Sequence, residues 1–359
     1  MNQITTSAPG RICLFGEHQD YLGLPVITAA INLRISIEGK KRTDRKFVLD
    51  LPDIHDQEAI DLDQPIRYIK ERDYFRSSLN VLLRENISIS NGYDCVVRGN
   101  IPINSGTSSS SALIVAWIQF LLAIASDNRK NDPLEIARFA HRAEVLEFNE
   151  PGGMMDHFAA SFGSISYIDF SVPGGKQQPL SANLGRFVLG DSRQPKDTKG
   201  ILARVKHGTL EALKILNQKN RALTIHTLTL DDLQLYRDLL SADQFALLEA
   251  FISNRDITQQ AKDTLTRKNF DSHFFGNLLN RQHAGLRDGL RISTAKIDGM
   301  IEAALQAGAF GAKINGSGGG GCMFAYAPDN YEQVAEAIES AGGIPYSIEV
   351  DQGVTVTAR

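Results

Sequence analysis

A run of small residues, Gly106, Thr107, Ser108, Ser109, Ser110 and Ser111, leads straight into the most apolar stretch of the chain, 112–125. That stretch is interrupted by Gln119 and is well short of the ~20 residues a bilayer span needs, so it reads as a buried helix. The first N–H groups of a helix have no partner within it, and small residues at its entry leave an anion room to take them. Gly106 permits close approach of a ligand to the backbone, and serine hydroxyls can bond phosphate oxygens or ligate Mg²⁺. A plain serine N-cap has the same appearance. No GxxxxGK[ST] occurs, so this is not the common P-loop.

Around this feature the texture changes along the chain. Short runs at 11–15, 26–29, 33–38, 46–51 and 93–98 alternate apolar and polar residues at period two, which predicts a mixed or antiparallel sheet. Asp132 as N-cap with Pro133 at N1 announces a helix through about Phe148, and a further helix begins near Gly153. From Gly200 onward, 201–216, 242–251, 275–290 and 294–307 carry helical periodicity. The tail, 309–314, 322–327, 331–340 and 346–350, reads as β-β-α-β. Pro173, Gly174 and Gly175 break the pattern, giving an N-terminal unit of 1–180 and a C-terminal unit of 181–359.

Composition excludes several classes. The 359 residues carry a net charge of −4, with 42% hydrophobic and 22% charged, an ordinary balance for a soluble enzyme with no electrostatic footprint for nucleic acid. Cys13, Cys95 and Cys322 are odd in number and lack metal-like spacing, as in a reducing compartment. Residues 1–10 show neither a charged n-region nor an apolar h-region. A cytoplasmic protein with no membrane partner is expected.

Three further segments look like chemistry. Around the strand at 11–15 gather Arg11, Glu17, His18 and Asp20; carboxylates there suit vicinal hydroxyls, as in sugar recognition, or a solvated loop. In EPGGMMDH over 150–157, Asp156 in the first turn of a helix is either a general base for a hydroxyl or an acid complementing the helix dipole. Glu144 precedes it by twelve positions. The glycine-dense 308–322 formally contains GxGxxG at 316–321, but a strand rather than a helix follows, so close backbone approach to the site, not dinucleotide binding, is its use.

Taken in order, these segments resemble the galactokinase, homoserine kinase, mevalonate kinase and phosphomevalonate kinase superfamily, the GHMP kinases, and within it the galactokinase-like sugar kinases. GEHQDY at 16–21 resembles GEHTDY, with Gln19 replacing threonine. GTSSSSA at 106–112 resembles GLGSSAA or GLSSSAS; GMMDH at 153–157 resembles GIMDQ; and 311–321 is similar to the third motif. The resemblance implies an α+β fold of two domains, the first of the ribosomal-protein-S5 type and the second ferredoxin-like. It implies Asp156 as the carboxylate that accepts the proton of the sugar's anomeric hydroxyl and Arg11 as the cation beside it. It further implies Glu17, His18, Asp20 and Gly153 at the sugar, Gly106, Ser108, Ser109, Ser110 and Ser111 around the ATP phosphates, and Ser110 and Glu144 as Mg²⁺ ligands.

One segment departs from the family. Galactokinases carry a sugar-contacting tyrosine early in the C-terminal domain, whereas 189–198 here reads LGDSRQPKDT, where Asp191, Lys196 and Asp197 can rim a different pocket or form a polar turn. The implied activity is transfer of the γ-phosphate of ATP to C1 of galactose or a related sugar. The alternatives are another hexose, arabinose, a heptose phosphate, or a catalytically silent sugar sensor.

Overall fold

The strand expected at 11–15 extends back to residue 3 as β1 (Gln3–Phe15), which pairs antiparallel with the long β2 (Val26–Lys41). Described in this computed structural model are residues 2–103, 106–196 and 198–358; Asp197, expected at the pocket rim, lies outside them. The chain continues through β3 (Lys46–Leu51), β4 (Asp56–Asp61), α1 (Tyr74–Arg84), β5 (Tyr93–Gly99), α2 (Ser109–Ile124), α3 (Pro133–His141), α4 (Met155–Phe162), β6 (Ile165–Asp169) and β7 (Lys176–Leu180). It goes on through β8 (Phe187–Asp191), α5 (Thr198–Lys219), α6 (Leu230–Leu235), α7 (Ala242–Thr266), α8 (Ser272–Ala284) and α9 (Ala295–Gln306). The tail is β9 (Gly311–Ile314), β10 (Cys322–Tyr326), α10 (Tyr331–Ser340), β11 (Ile344–Ile348) and β12 (Thr355–Ala358).

Among the described residues two sheets organise these elements. The larger runs β12-β1-β2-β5-β3-β4, with β6 on β2 and β7 on β6; the smaller runs β11-β8-β10-β9. All pairings are antiparallel except β3 with β5. The tail therefore does not stay whole within the C-terminal unit expected at 181–359. Its last strand returns to the first sheet, setting Ile4 opposite Ala358 and Ser7 opposite Thr355.

Helix α2 fills the core between the layers. Its residues are apolar all round because it is covered all round, as a central helix must be. Trp117 is fully buried, stacked on Phe120 at 5.4 Å and edge-on to Phe47 and Phe75, and its indole N–H donates to the Phe75 carbonyl at 3.1 Å. Placing Ser109 at the helix start thus follows from burying 112–123, and the serine run is left facing the cleft. No helix among the described residues is long and apolar enough to cross a membrane.

Two expected elements take a different form. The helix expected through Phe148 is α-helical only to His141 and then π-helical over Arg142–Leu146, a local widening that carries Glu144. The strands expected at 26–29 and 33–38 are one strand. Asn32 between them keeps its place because its side-chain oxygen accepts the Glu349 N–H at 3.2 Å.

Candidate active site

Arg11 comes off β1 beside a register shift in its pairing with β2 and is almost completely buried. Its backbone N–H donates to Thr107 O at 3.1 Å, and its Nη1 to Gly106 O at 2.5 Å. Nε and Nη2 both meet Asp156 Oδ1, at 2.8 and 2.7 Å. One guanidinium thus joins the end of the first strand, the serine-rich loop and the first turn of α4. Burial works against ionisation of Asp156, but the Arg11 charge outweighs it, so its carboxyl sits below the ordinary value.

The glycine-dense loop after β9 clamps the same place. Asn315 Nδ2 donates to Gly106 O at 2.9 Å, while its Oδ1 accepts the Cys13 N–H at 2.9 Å. Gly316 has a positive φ, and a β-carbon there would fall 2.8 Å from Gly106 O. Close approach to the serine-rich loop is what this glycine provides.

The GEHQDY segment is held from both layers. Glu17 is buried with Oε1 on the Lys313 ammonium, which also donates to the Cys13 and Ile314 carbonyls at 3.1 Å; Glu17 Oε2 has no hydrogen-bond partner. His18 is committed at both nitrogens: Nε2 is 3.0 Å from the Ser317 carbonyl, which can only accept, so Nδ1 accepts from the Tyr21 hydroxyl at 2.9 Å. Burial lowers its pKa to about 4, leaving it neutral at neutral pH. Oriented so that both ends are paired, Gln19 donates to Pro25 O at 2.9 Å and accepts the Arg255 N–H of α7 at 3.0 Å. The glutamine that replaces the usual threonine therefore ties this loop to the second layer.

Asp20 accepts the N–H groups of Tyr21 at 2.9 Å and of Met155 at 3.2 Å. A β-carbon on Gly153 would lie 1.9 Å from Asp20 Oδ2, so only glycine leaves room for this carboxylate. Burial, with the Asp156 charge nearby, raises the Asp20 pKa.

On the far side of Asp156 stands Glu144. Its Oε2 accepts Ser111 Oγ at 2.7 Å and His157 Nε2 at 2.8 Å. The direct contact from the serine run is made by Ser111, whereas the expected metal pair named Ser110. Both serines and Glu144 line one cavity of about 790 Å³, together with Arg11, Asp20, Asp156 and Lys196. Glu17, His18, Gly153, Gly106, Ser108 and Ser109 also line it. Asp191 does not contribute: it lies in the β8 ladder and its Oδ1 accepts the Arg193 N–H at 2.9 Å.

Three matches to known families span these elements. Residues 73–164 match the GHMP kinases N terminal domain, 267–344 the GHMP kinases C terminal, and 2–41 the galactokinase galactose-binding signature. The chain belongs to the GHMP kinases. This GHMP kinase is 29% identical over 362 residues to the mevalonate kinase of Pyrococcus furiosus, covering 98% of this chain and 97% of that one. It is 27% identical over 371 residues to the galactokinase of Lactococcus lactis subsp. lactis, covering 96% and 89%. The crystal structure of Lactococcus lactis galactokinase complexed with galactose superposes with a TM-score of 0.86 at 25% identity, over 98% of this chain and 95% of that one. Methanococcus jannaschii mevalonate kinase shares the fold, with a TM-score of 0.73 at 20% identity over 97% and 98%. The architecture is accordingly the two-domain GHMP kinase fold.

Lys313, Asn315 and His157 of this GHMP kinase escaped the sequence reading. No sequence signal marked the first: between Ala312 and Ile314 a lysine has the period-two pattern of a strand whose polar side meets solvent, and only the packing of Glu17 on that side buries it.

Proposed function

We propose that this GHMP kinase transfers the γ-phosphate of ATP to the anomeric hydroxyl of galactose or a closely related sugar. The observation that carries the reading is the wall made by Asp20 over Gly153 beside Asp156. Each carboxyl group offers several acceptor positions for hydroxyl hydrogens, which suits a polyol.

On this reading Asp156, kept ionised by Arg11, accepts the hydroxyl proton as charge leaves the attacking oxygen, since a carboxylate is too weak a base to remove it beforehand. Arg11 both orients Asp156 and offers positive charge where negative charge spreads onto the phosphoryl oxygens. The N-terminus of α2 with Ser108, Ser109, Ser110 and Ser111 takes the nucleotide phosphates on N–H and hydroxyl groups. Glu17 acts through its ion pair with Lys313, which fixes the GEHQDY loop beside the acceptor, since its side chain is fully buried. His18 acts by holding Tyr21 and the loop at Ser317 rather than through a nitrogen left open.

Magnesium fits the donors present. Glu144 and Ser110 are hard oxygen ligands, and among the described residues no three His, Cys, Asp or Glu side chains form a cage of their own, which suits an ion shared with phosphates. When bound there it would neutralise charge on the phosphate oxygens.

A second reading is favoured by the mevalonate kinase relatives: the acceptor is a small hydroxy acid. A coupled ADP-release assay over galactose, other hexoses, arabinose, a heptose phosphate and mevalonate, with Asp156→Ala alongside, separates the two. Sugar turnover lost in the variant supports the proposal; selective turnover of mevalonate supports the second reading.

A further inference from the structure

Lys196 belongs to the segment in which this chain departs from galactokinases, yet it reaches the serine-rich loop rather than the acceptor wall. A β-carbon on Gly106 would fall 2.7 Å from Lys196 Nζ and 2.9 Å from the Asn315 carbonyl oxygen, so the ammonium packs against the first residue of that loop. Gly106 is also the residue whose carbonyl takes Arg11 Nη1. Two cations from opposite halves of the chain therefore converge on the entry to α2, whose first residues Ser109, Ser110 and Ser111 line the same cavity. Burial and then the Arg11 charge lower the Lys196 pKa to about 8; Asp156 pulls it the other way but is itself held by two contacts from Arg11.

Converging cations at a helix N-terminus are an arrangement that an anion completes. The transferring phosphoryl group carries its charge on three equatorial oxygens, and one cation cannot reach all of them. We propose that Lys196 contacts the γ-phosphate of the nucleotide together with Arg11, making it a catalytic residue of phosphoryl transfer and not a determinant of the acceptor. The inference rests on the kinase reading above and deepens it.

Calorimetric titration of the full chain with Mg²⁺ and either ADP or a non-hydrolysable ATP analogue tests this without needing the acceptor. In Lys196→Met, affinity for the triphosphate analogue falls about tenfold while ADP affinity changes less than about twofold, and Lys196→Arg restores most of the loss. With the acceptor present, kcat of the methionine variant falls about 10²-fold at an acceptor KM within about threefold of wild type. Equal losses for ADP and the analogue, or an acceptor KM raised tenfold with nucleotide affinity intact, would overturn the proposal. Wild-type protein that binds neither nucleotide would remove the kinase reading itself, a distinct outcome. A melting curve for each variant separates loss of fold from loss of contact.

Discussion

Lys313 and Glu17 form an ion pair in which both side chains are fully buried, although 296 positions separate them. The pair fastens β9 of the small sheet to the turn that ends β1, and with it the GEHQDY loop to the glycine-dense loop. Removing one partner leaves the other charge buried and uncompensated. Lys313→Met is expected to cost about 3–5 kcal/mol of stability, and the double variant Lys313→Met/Glu17→Gln to regain a good part of it. Urea unfolding of the two variants and wild type measures both numbers.

Gly153→Ala acts on geometry alone. The new methyl group must displace the Asp20 carboxylate, since the two would stand 1.9 Å apart. Displacements of about 1 Å in a positioning group cost on the order of 10²-fold in rate. Steady-state kinetics are expected to show that loss in kcat/KM for the acceptor while KM for ATP stays within about twofold.

Removing Arg11 changes both rate and pH dependence. In wild type the Asp156 carboxyl lies below its ordinary value, so loss of activity through its protonation begins only in strongly acid solution. In Arg11→Met burial acts unopposed by the guanidinium, and the Asp156 pKa rises. The acid limb of the kcat profile moves to higher pH, and kcat at neutral pH falls about 10²–10³-fold. A pH–rate profile of the variant against wild type reads the shift directly.

His18 imposes a pH dependence on stability. Its folded pKa, about 4 against an ordinary 6.5, means that between those values the unfolded chain binds the proton more readily. Stability is therefore greatest above pH 6.5 and declines as pH falls toward 4, by about 3 kcal/mol from this group. His141, lowered to about 3, and His283, lowered to about 4, act in the same direction. Unfolding midpoints at pH 7.5 and 5 should differ less in His18→Asn than in wild type. Asparagine is chosen because His18 has a φ of 63°, which asparagine tolerates.

What could be read in advance depended on how far a residue's partners lay along the chain. Helix α2 was legible because its burial shows as unbroken apolarity, and α3 because Asp132 caps it locally, accepting the Leu134 N–H at 2.9 Å. The grouping of Arg11, Asp20, Glu144 and Asp156 around one cavity was legible through motif order. Asn315 was not, since its partners, the Cys13 N–H and the Gly106 carbonyl, lie some 300 and 200 residues away. Strand β7 was hidden by its composition: Lys176, Gln177, Gln178 and Pro179 read as linker, and only pairing with β6 makes them a strand. Strand β12 was missed for a related reason, because nothing in four residues announces that they return to β1.

The central claim is that Asp156 and Arg11 direct phosphate to the anomeric oxygen of a sugar, and the position of the new phosphate tests it most directly. Phosphorus–proton correlation spectra of the product formed from ATP and galactose, or from whichever sugar turns over fastest, should couple the new phosphorus to the anomeric proton. The Asp156→Ala protein should give no such product. A phosphorus coupled to any other sugar proton, phosphorylated mevalonate as the only product, or an unchanged yield from Asp156→Ala would contradict the account.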